Sequence, residues 1–444
     1  MNTNVLFAVF KRNLTSYFAN PTGYVFICVF VLLSAFTAFW PNDFFSANLA
    51  NLNQLNKVFP FIMLVFIPAI TMSIWADERR QGTDELLLTI PAADLDIVLG
   101  KYLAAVAIYS VSLLFSLLCN YTVLQMLGDP DVGLLLGTYF GFWLVGLGML
   151  AVGMVASFLT GNLTVAYIVG AILNLPLVFA TSEVLTVAIH ALISIPNSIV
   201  AGLDKMLLAI SEDWTLLSGL HDRLADAALT VPSALATQLS VWGIGGQFAD
   251  FGRGVISFSG IAYFLVLMAV MLYLSMVLIG RRHWRSGRLG GSAIAFYPLL
   301  HLVCLVVFVV LGFLLHGTMS EFSLVLLLVG LYVVVQLGII LFWSLGRPRV
   351  ALLPGHFITR TLALAAVGVG LVVFFQSFDV RWDVTKGDLN SLSPQTVKLL
   401  KELDLEQPVQ IEAFVSPESE IPEAYVQTRL NLLNRLREMK AYGG

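Results

Sequence analysis

Long apolar runs separated by short polar turns fill most of the chain between residues 22 and 377. A bilayer core about 30 Å thick needs roughly 20 mainly apolar residues in helix. Nine windows of that kind occur, near 22–40, 58–76, 99–127, 134–158, 163–191, 257–280, 294–315, 321–343 and 359–377. The third and fifth exceed a straight crossing, which predicts tilt or protrusion. Ahead of them, Val5, Leu6, Val9, Phe10 and Leu14 recur at helical spacing, with Lys11, Arg12 and Asn13 between. Residues 5–18 therefore predict an amphipathic helix lying along the membrane surface before Pro21 turns the chain inward. An ordinary soluble N-terminal helix is the alternative. The irregular placement of charge argues against a cleavable signal peptide. The expected fold class is an all-α polytopic membrane protein.

Composition agrees. Of 444 residues, 58% are apolar and 12% charged, where a soluble domain carries about 25% charge. The mean hydropathy is +0.87. A net charge of -4 leaves no global basic footprint for nucleic acid. Cys28, Cys119 and Cys304 sit inside apolar runs with no ligand spacing. Residues 379–444 hold 19 of the 52 charged residues, and this shift marks a domain boundary near Gln376 to Asp379.

Short-loop Lys and Arg set the orientation. With Lys11 and Arg12 inside, 77–98, 159–162, 281–293 and 344–358 fall in the cytoplasm; 41–57, 128–133, 192–256, 316–320 and the charged tail fall outside. The four arginines of Arg281 to Arg288 and the trio Arg347, Arg349 and Arg360 fit that count. The expected place is a bacterial inner membrane, crossed many times, with the N-terminus cytoplasmic and the tail extracytoplasmic. The basic cluster at 281–288 reads as an anchor to anionic lipid headgroups, not as a nucleic-acid site. The outer segment 192–256 holds amphipathic stretches such as Leu207 to Ala228, which read as interfacial or re-entrant helices, or as a small soluble cap.

One cytoplasmic stretch departs from the charge rule. Between Asp77 and Lys101 six acids face three bases, so something other than headgroups is expected against that surface. Asp77, Glu78, Arg79, Arg80, Gly82, Thr83 and Glu85 crowd the membrane face; Leu87, Leu88 and Pro91 come next. A short helix from Thr83 to Thr89 would use Thr83 as its N-cap, with Asp84 and Glu85 in the first turn. A solvated, capped turn accounts for the charge pattern equally well.

Glu78-Arg79, Gly82-Thr83, Glu85, Leu87-Leu88 and Pro91 resemble the E-R-x-x-G-T-x-E-x-L-L-x-x-P pattern of ABC-2 type transporter permeases. Asn20-Pro21-Thr22-Gly23-Tyr24 resembles that family's S-P-x-A-Y opening of the first span, with Asn20 and Gly23 departing from it. The resemblance implies a six-span permease over 1–280 whose coupling residues are Asp77, Glu78, Arg79, Arg80, Gly82, Thr83, Glu85, Leu87, Leu88 and Pro91. It also implies a separate cytoplasmic P-loop ATPase in two copies, which holds the ATP and magnesium, and a second copy of this chain. Residues 247–256, ahead of Tyr263-Phe264-Leu265, look like the outer F-x-x-F-x-x-G-V-I segment of the gliding-motility type of permease. The tail, through Arg381-Trp382-Asp383-Val384-Thr385 and Leu392-Ser393-Pro394-Gln395-Thr396, resembles the start of that system's auxiliary subunit. The expected organisation is a permease at 1–280, a linker with three further spans at 281–378, and at 379–444 the beginning of an α/β extracytoplasmic domain, apparently incomplete.

Chemistry of its own is not expected. No G-x-x-x-x-G-K-[ST] string occurs to cradle phosphates, and His190, His221, His283, His301, His316 and His356 show no metal spacing. Glu183 reads either as a pathway acid or as an interfacial one. Pro176 predicts a kink beside Asn174, Asn120 and Tyr121 are candidates for bonds between helices, and Gly137 to Gly141 has the G-x-x-x-G spacing of close helix packing. The leading function is the transmembrane subunit of an ATP-driven exporter that binds no cofactor itself. The alternative is a complex that transmits force to an extracytoplasmic or envelope partner. A membrane enzyme or ion-coupled carrier would need mid-membrane polar constellations or inverted repeats, and the sequence displays neither.

Overall fold

The computed structural model describes residues 2–19, 21–40, 51–88, 92–180, 243–280, 353–377 and 380–386, with isolated positions among 331–335, 395–398, 411–414 and 432–439. The windows at 294–315 and 321–343, the stretch 207–228, Glu183, Pro91 and the cluster at 281–288 lie outside the described residues, apart from isolated positions in the first pair. Met1–Ala171 with Asp250–Gly444 forms one compact unit and Ile172–Ala249 a second. Of the second, the described parts are the last turns of a helix ending at Phe179 and the short helix α8, Ile244–Phe248.

The first unit is a bundle. In order it contains α1 (Thr3–Ala19), α2 (Pro21–Phe39), α3 (Asn53–Gln81), α4 (Thr83–Leu88), α5 (Asp94–Leu127), α6 (Val132–Leu159) and the start of α7 (Leu163–Phe179). After α8 come a 3-10 turn (Phe251–Arg253), strand β1 (Val255–Ser257), α9 (Phe258–Gly280), α10 (Leu353–Ser377) and strand β2 (Arg381–Asp383). Among the described residues four helices (α3, α5, α6 and α9) are long and apolar enough to cross a membrane, and a fifth crossing is added if α1 and α2, bent by 77°, count together. The chain is thus a mostly helical, polytopic membrane protein. Among the described tail residues no closed α/β domain is seen.

Helix α6 is the centre of the bundle. Its apolar window is 89% buried, against 33% for α9, and it packs on α3, α5 and α9. Its 28 residues contain no charge, and at 1.5 Å per residue they extend about 42 Å. Small residues let neighbours approach. A Cβ on Gly146 would overlap the Tyr109 ring of α5, and one on Gly153 would overlap Thr71 of α3. Several hydroxyl and amide groups inside the bundle find partners, as low dielectric favours. Tyr109 donates to the Phe142 carbonyl at 2.6 Å and Tyr102 to the Leu147 carbonyl at 2.8 Å. Asn120 donates to the Tyr139 hydroxyl at 2.8 Å, and that hydroxyl lies 3.0 Å from Ser116, which reaches Ser34 at 2.7 Å. The expected inter-helix role of Asn120 therefore holds, whereas Tyr121 faces outward.

Two local expectations change. The polar stretch from Asp77 is not a loop: α3 runs on to Gln81, because nothing between Asp77 and Gly82 breaks a helix. Gly82, at φ +69°, closes α3 with its N–H on the carbonyls of Glu78 and Arg79. Gly137 does not serve helix-on-helix packing either. Its missing Cβ makes room for the backbone of Gly254, 3.1 Å from where that carbon would stand.

Candidate functional site

Where α3 leaves the bundle and α5 enters it, charged side chains from four helices meet beside the end of a fifth, α6. In the last two turns of α3 the helical period sends Trp75 and Glu78 toward α5 and α1, Arg79 toward the end of α6, and Asp77 and Arg80 outward. Asp77 and Arg80 pair at 2.7 Å across one turn, with both side chains exposed. Such a pair contributes a few tenths of a kcal/mol at most.

Glu78 is a hub. One carboxylate oxygen lies 2.7 Å from the Lys101 ammonium of α5, and the other accepts from Arg12 of α1. Lys101 has no side-chain exposure. Its ammonium also donates to the Ile74 carbonyl at 2.7 Å and stands 4.4 Å from the centre of the Trp75 ring. Counter-charge, carbonyl and π-face together offset part of the desolvation of a buried cation. Packing around the hub is close: a Cβ on Gly100 would come within 2.9 Å of the Leu6 carbonyl oxygen and 3.0 Å of Val9. One turn earlier, buried Asp96 accepts from the Asn2 N–H at 2.9 Å. Helix α1 is thereby fastened to the first two turns of α5.

Arg79 joins a second set of elements. Its guanidinium donates to the Phe158 carbonyl, sits 4.9 Å over the Phe158 ring and lies 3.6 Å from Asp84 of α4. That carbonyl is among the last four of α6, which have no partner within their own helix. Next to it, Ser157 accepts from the N–H groups of Trp75 and Ala76 at 3.0 and 3.2 Å and donates to the Met72 carbonyl at 2.9 Å. The end of α6 is thus locked into the backbone of α3.

Thr83 does not cap α4 in the expected way. It is the first residue of α4, and its hydroxyl donates to the Glu78 carbonyl at 3.4 Å. Leu87 is buried, and Glu85 and Leu88 lie on the same helix. The structure brings Glu78, Arg79 and Leu87 to the inner side of one elbow, ties the exposed Thr83 to the Glu78 carbonyl, and leaves Asp77 and Arg80 on its outer side.

Sequence reading assigned no role here to Arg12, Lys101, Ser157 or Phe158. Lys101 carried a usable signal, since a cation one turn inside an apolar window demands a buried partner. Ser157 and Phe158 carried none. Among the described residues, no group of three or more His, Cys, Asp or Glu could hold a metal.

No curated protein matches the chain. A family model described as ABC-2 family transporter protein matches residues 41–201, a stretch that contains α3 to α7 and the whole elbow except Arg12 and Asn2. The arrangement around Glu78 and Arg79 thus lies, apart from its α1 partner, inside an ABC-2 type membrane transporter family domain.

Proposed function

We propose that this chain is the transmembrane subunit of an ATP-driven ABC-2 type exporter, taking its energy from a separate cytoplasmic P-loop ATPase. The observation that carries this reading is the elbow. Glu78 ties α3 to α1 and α5, while Arg79 ties α3 to α4 and α6, so a push on α4 reaches four other helices through charge-assisted contacts. In this role Asp77, Glu78, Arg79, Arg80, Gly82, Thr83, Glu85, Leu87, Leu88 and Pro91 pass on motion and perform no chemistry. The ATPase works in two copies on a dimer of this chain, and ATP and magnesium belong to it. The elbow and α1 face the cytoplasm. The opposite end of α6 faces outward in an inner membrane.

Affinity capture of the tagged full chain from native membranes, followed by mass spectrometry, tests the reading. A soluble P-loop ATPase is expected in the eluate, with its reconstituted activity stimulated by the chain. Arg79→Ala and Glu85→Gln are expected to abolish that stimulation while expression holds. Clean recovery of the chain with no ATPase overturns the assignment.

A second reading is favoured by the far end of α6, where the tail is fastened to the bundle. On it, the complex works on an extracytoplasmic or envelope partner through 379–444, as a gliding-motility type permease joined to an auxiliary domain would. Loss of biological function without loss of substrate export, after deletion of 387–444, distinguishes it from the first.

A further inference from the structure

The end of α6 opposite the elbow holds a piece of chain from far along the sequence. Strand β2 pairs antiparallel with β1, in the register Val255 to Asp383, Ile256 to Trp382 and Ser257 to Arg381. The ladder continues at both ends: Phe258 N–H donates to the Val380 carbonyl at 3.1 Å, and Val384 N–H to the Gly254 carbonyl at 3.0 Å. Beyond the strand, Lys386 N–H donates at 2.7 Å to Asp131 Oδ2. The other oxygen of that carboxylate accepts from Leu134 N–H at 3.1 Å as the N-cap of α6. One side chain therefore both starts α6 and holds the incoming segment.

The fit is close on the α6 side. A Cβ on Gly133 would overlap the Val384 carbonyl oxygen, and one on Gly254 would come within 2.6 Å of the buried Thr385. Gly254 also has φ +79°, which lets the turn after the 3-10 segment present its carbonyl to Val384. Thr385 is pinned in turn, its N–H and hydroxyl donating to Asp383 Oδ1 at 3.0 and 2.6 Å. The outer charge pairs, Lys386 with Asp129 at 3.6 Å and Arg381 with Asp250 at 3.9 Å, are solvated and weak. Backbone bonds and absent Cβ atoms therefore define the seat.

We infer that Gly133, Gly137, Asp131 and the Gly254–Ser257 edge form a strand-accepting interface, that its occupant is this chain's own Val380–Lys386, and that the two make a permanent joint. The chain beyond Lys386 then starts from a root that moves with α6, the helix whose other end is locked into the elbow. The joint stands on its own contacts; its use in carrying displacement outward rests on the coupling proposed above.

Amide hydrogen exchange on the full chain in lipid nanodiscs tests the joint without any ATPase, so its failure and the failure of ATPase coupling are separate results. The alternation of the ladder makes Ser257 and Arg381 a pair without mutual backbone bonds, with Cα atoms expected about 4.5 Å apart, inside the disulfide range. Wild type is expected to slow the Trp382, Val384 and Lys386 amides by ~100-fold or more over an unstructured peptide. Gly133→Val should cut that protection by ~10-fold or more, and Ser257→Cys/Arg381→Cys should cross-link under mild oxidation and restore it in the Gly133→Val background. In an otherwise wild-type chain the cross-link should change protection by less than ~3-fold, because a permanent joint has little opening left to suppress. Unprotected wild-type amides, indifference to Gly133→Val, failure to cross-link, or a large gain of protection on cross-linking would each overturn the inference.

Discussion

Lys101, with no exposed side-chain surface, lies 2.7 Å from Glu78, and Glu78 is shared with Arg12 on a different helix. A buried cation and its counter-charge are unequal under mutation. Removing the anion strands the cation, whereas replacing both is much milder. Glu78→Gln is therefore expected to destabilise the protein by about 3–5 kcal/mol, read as a large fall in Tm in detergent. Glu78→Gln/Lys101→Met should recover most of that loss. Strictly additive losses, with Lys101→Met completing the cycle, would mean the pair is not coupled.

Gly82 offers a second test. No neighbour lies within 4 Å of where its Cβ would stand, yet φ is +69°. Conformation and not space therefore requires glycine. Gly82→Ala should cost about 1 kcal/mol and Gly82→Asn less, since Asn tolerates the left-handed region. Thermal unfolding of the two variants gives the order, and an Ala variant as stable as wild type would contradict the assigned end of α3.

Gly146 faces the Tyr109 ring with no room for a methyl group. Gly146→Ala is expected to cost about 1–3 kcal/mol through overpacking. Tyr109→Leu should relieve part of it, although that change also removes the bond to the Phe142 carbonyl. A double-mutant cycle on Tm measures the coupling, and simple additivity would show that the two residues do not meet.

Arg79 combines a carbonyl, a ring face and Asp84. Lysine keeps the charge but not the planar fork that serves three partners. Arg79→Lys should express normally and lose most of the stimulation of the captured ATPase, falling between wild type and Arg79→Ala. Full stimulation in Arg79→Lys would reduce the role of Arg79 to its charge alone.

The apolar windows were legible because each is a local property of about twenty residues, and α2, α3, α5, α6, α9 and α10 lie where the hydropathy puts them. The elbow was legible as a cluster of charge but not as a geometry. Arg12 meets Glu78 from 66 residues away, and a single charged position does not name its partner. Continuous helix through Asp77 to Gln81 was missed because charged residues at a membrane face look like a loop, although Glu, Arg and Gln are all good helix formers. The joint at β1 and β2 was hidden for another reason: strands of three residues are too short to display an alternating pattern. Gly133 and Gly137 look like any other small residues in an apolar helix until the backbone of 254 and 384 is set against them.

The distance along the chain between β1 and β2 also orders assembly in time. Translation proceeds at about 5–20 residues per second, so Arg381 emerges roughly 6–25 seconds after Ser257. During that interval α6 and α9 have been made, while the edge from Gly254 to Ser257 has no strand beside it. An unpaired edge invites other extended segments. Ribosome stalling or premature termination between residues 281 and 380 would therefore leave a protein in which α3, α5, α6 and α9 are built but the β1 edge is still open, a natural target for membrane quality control.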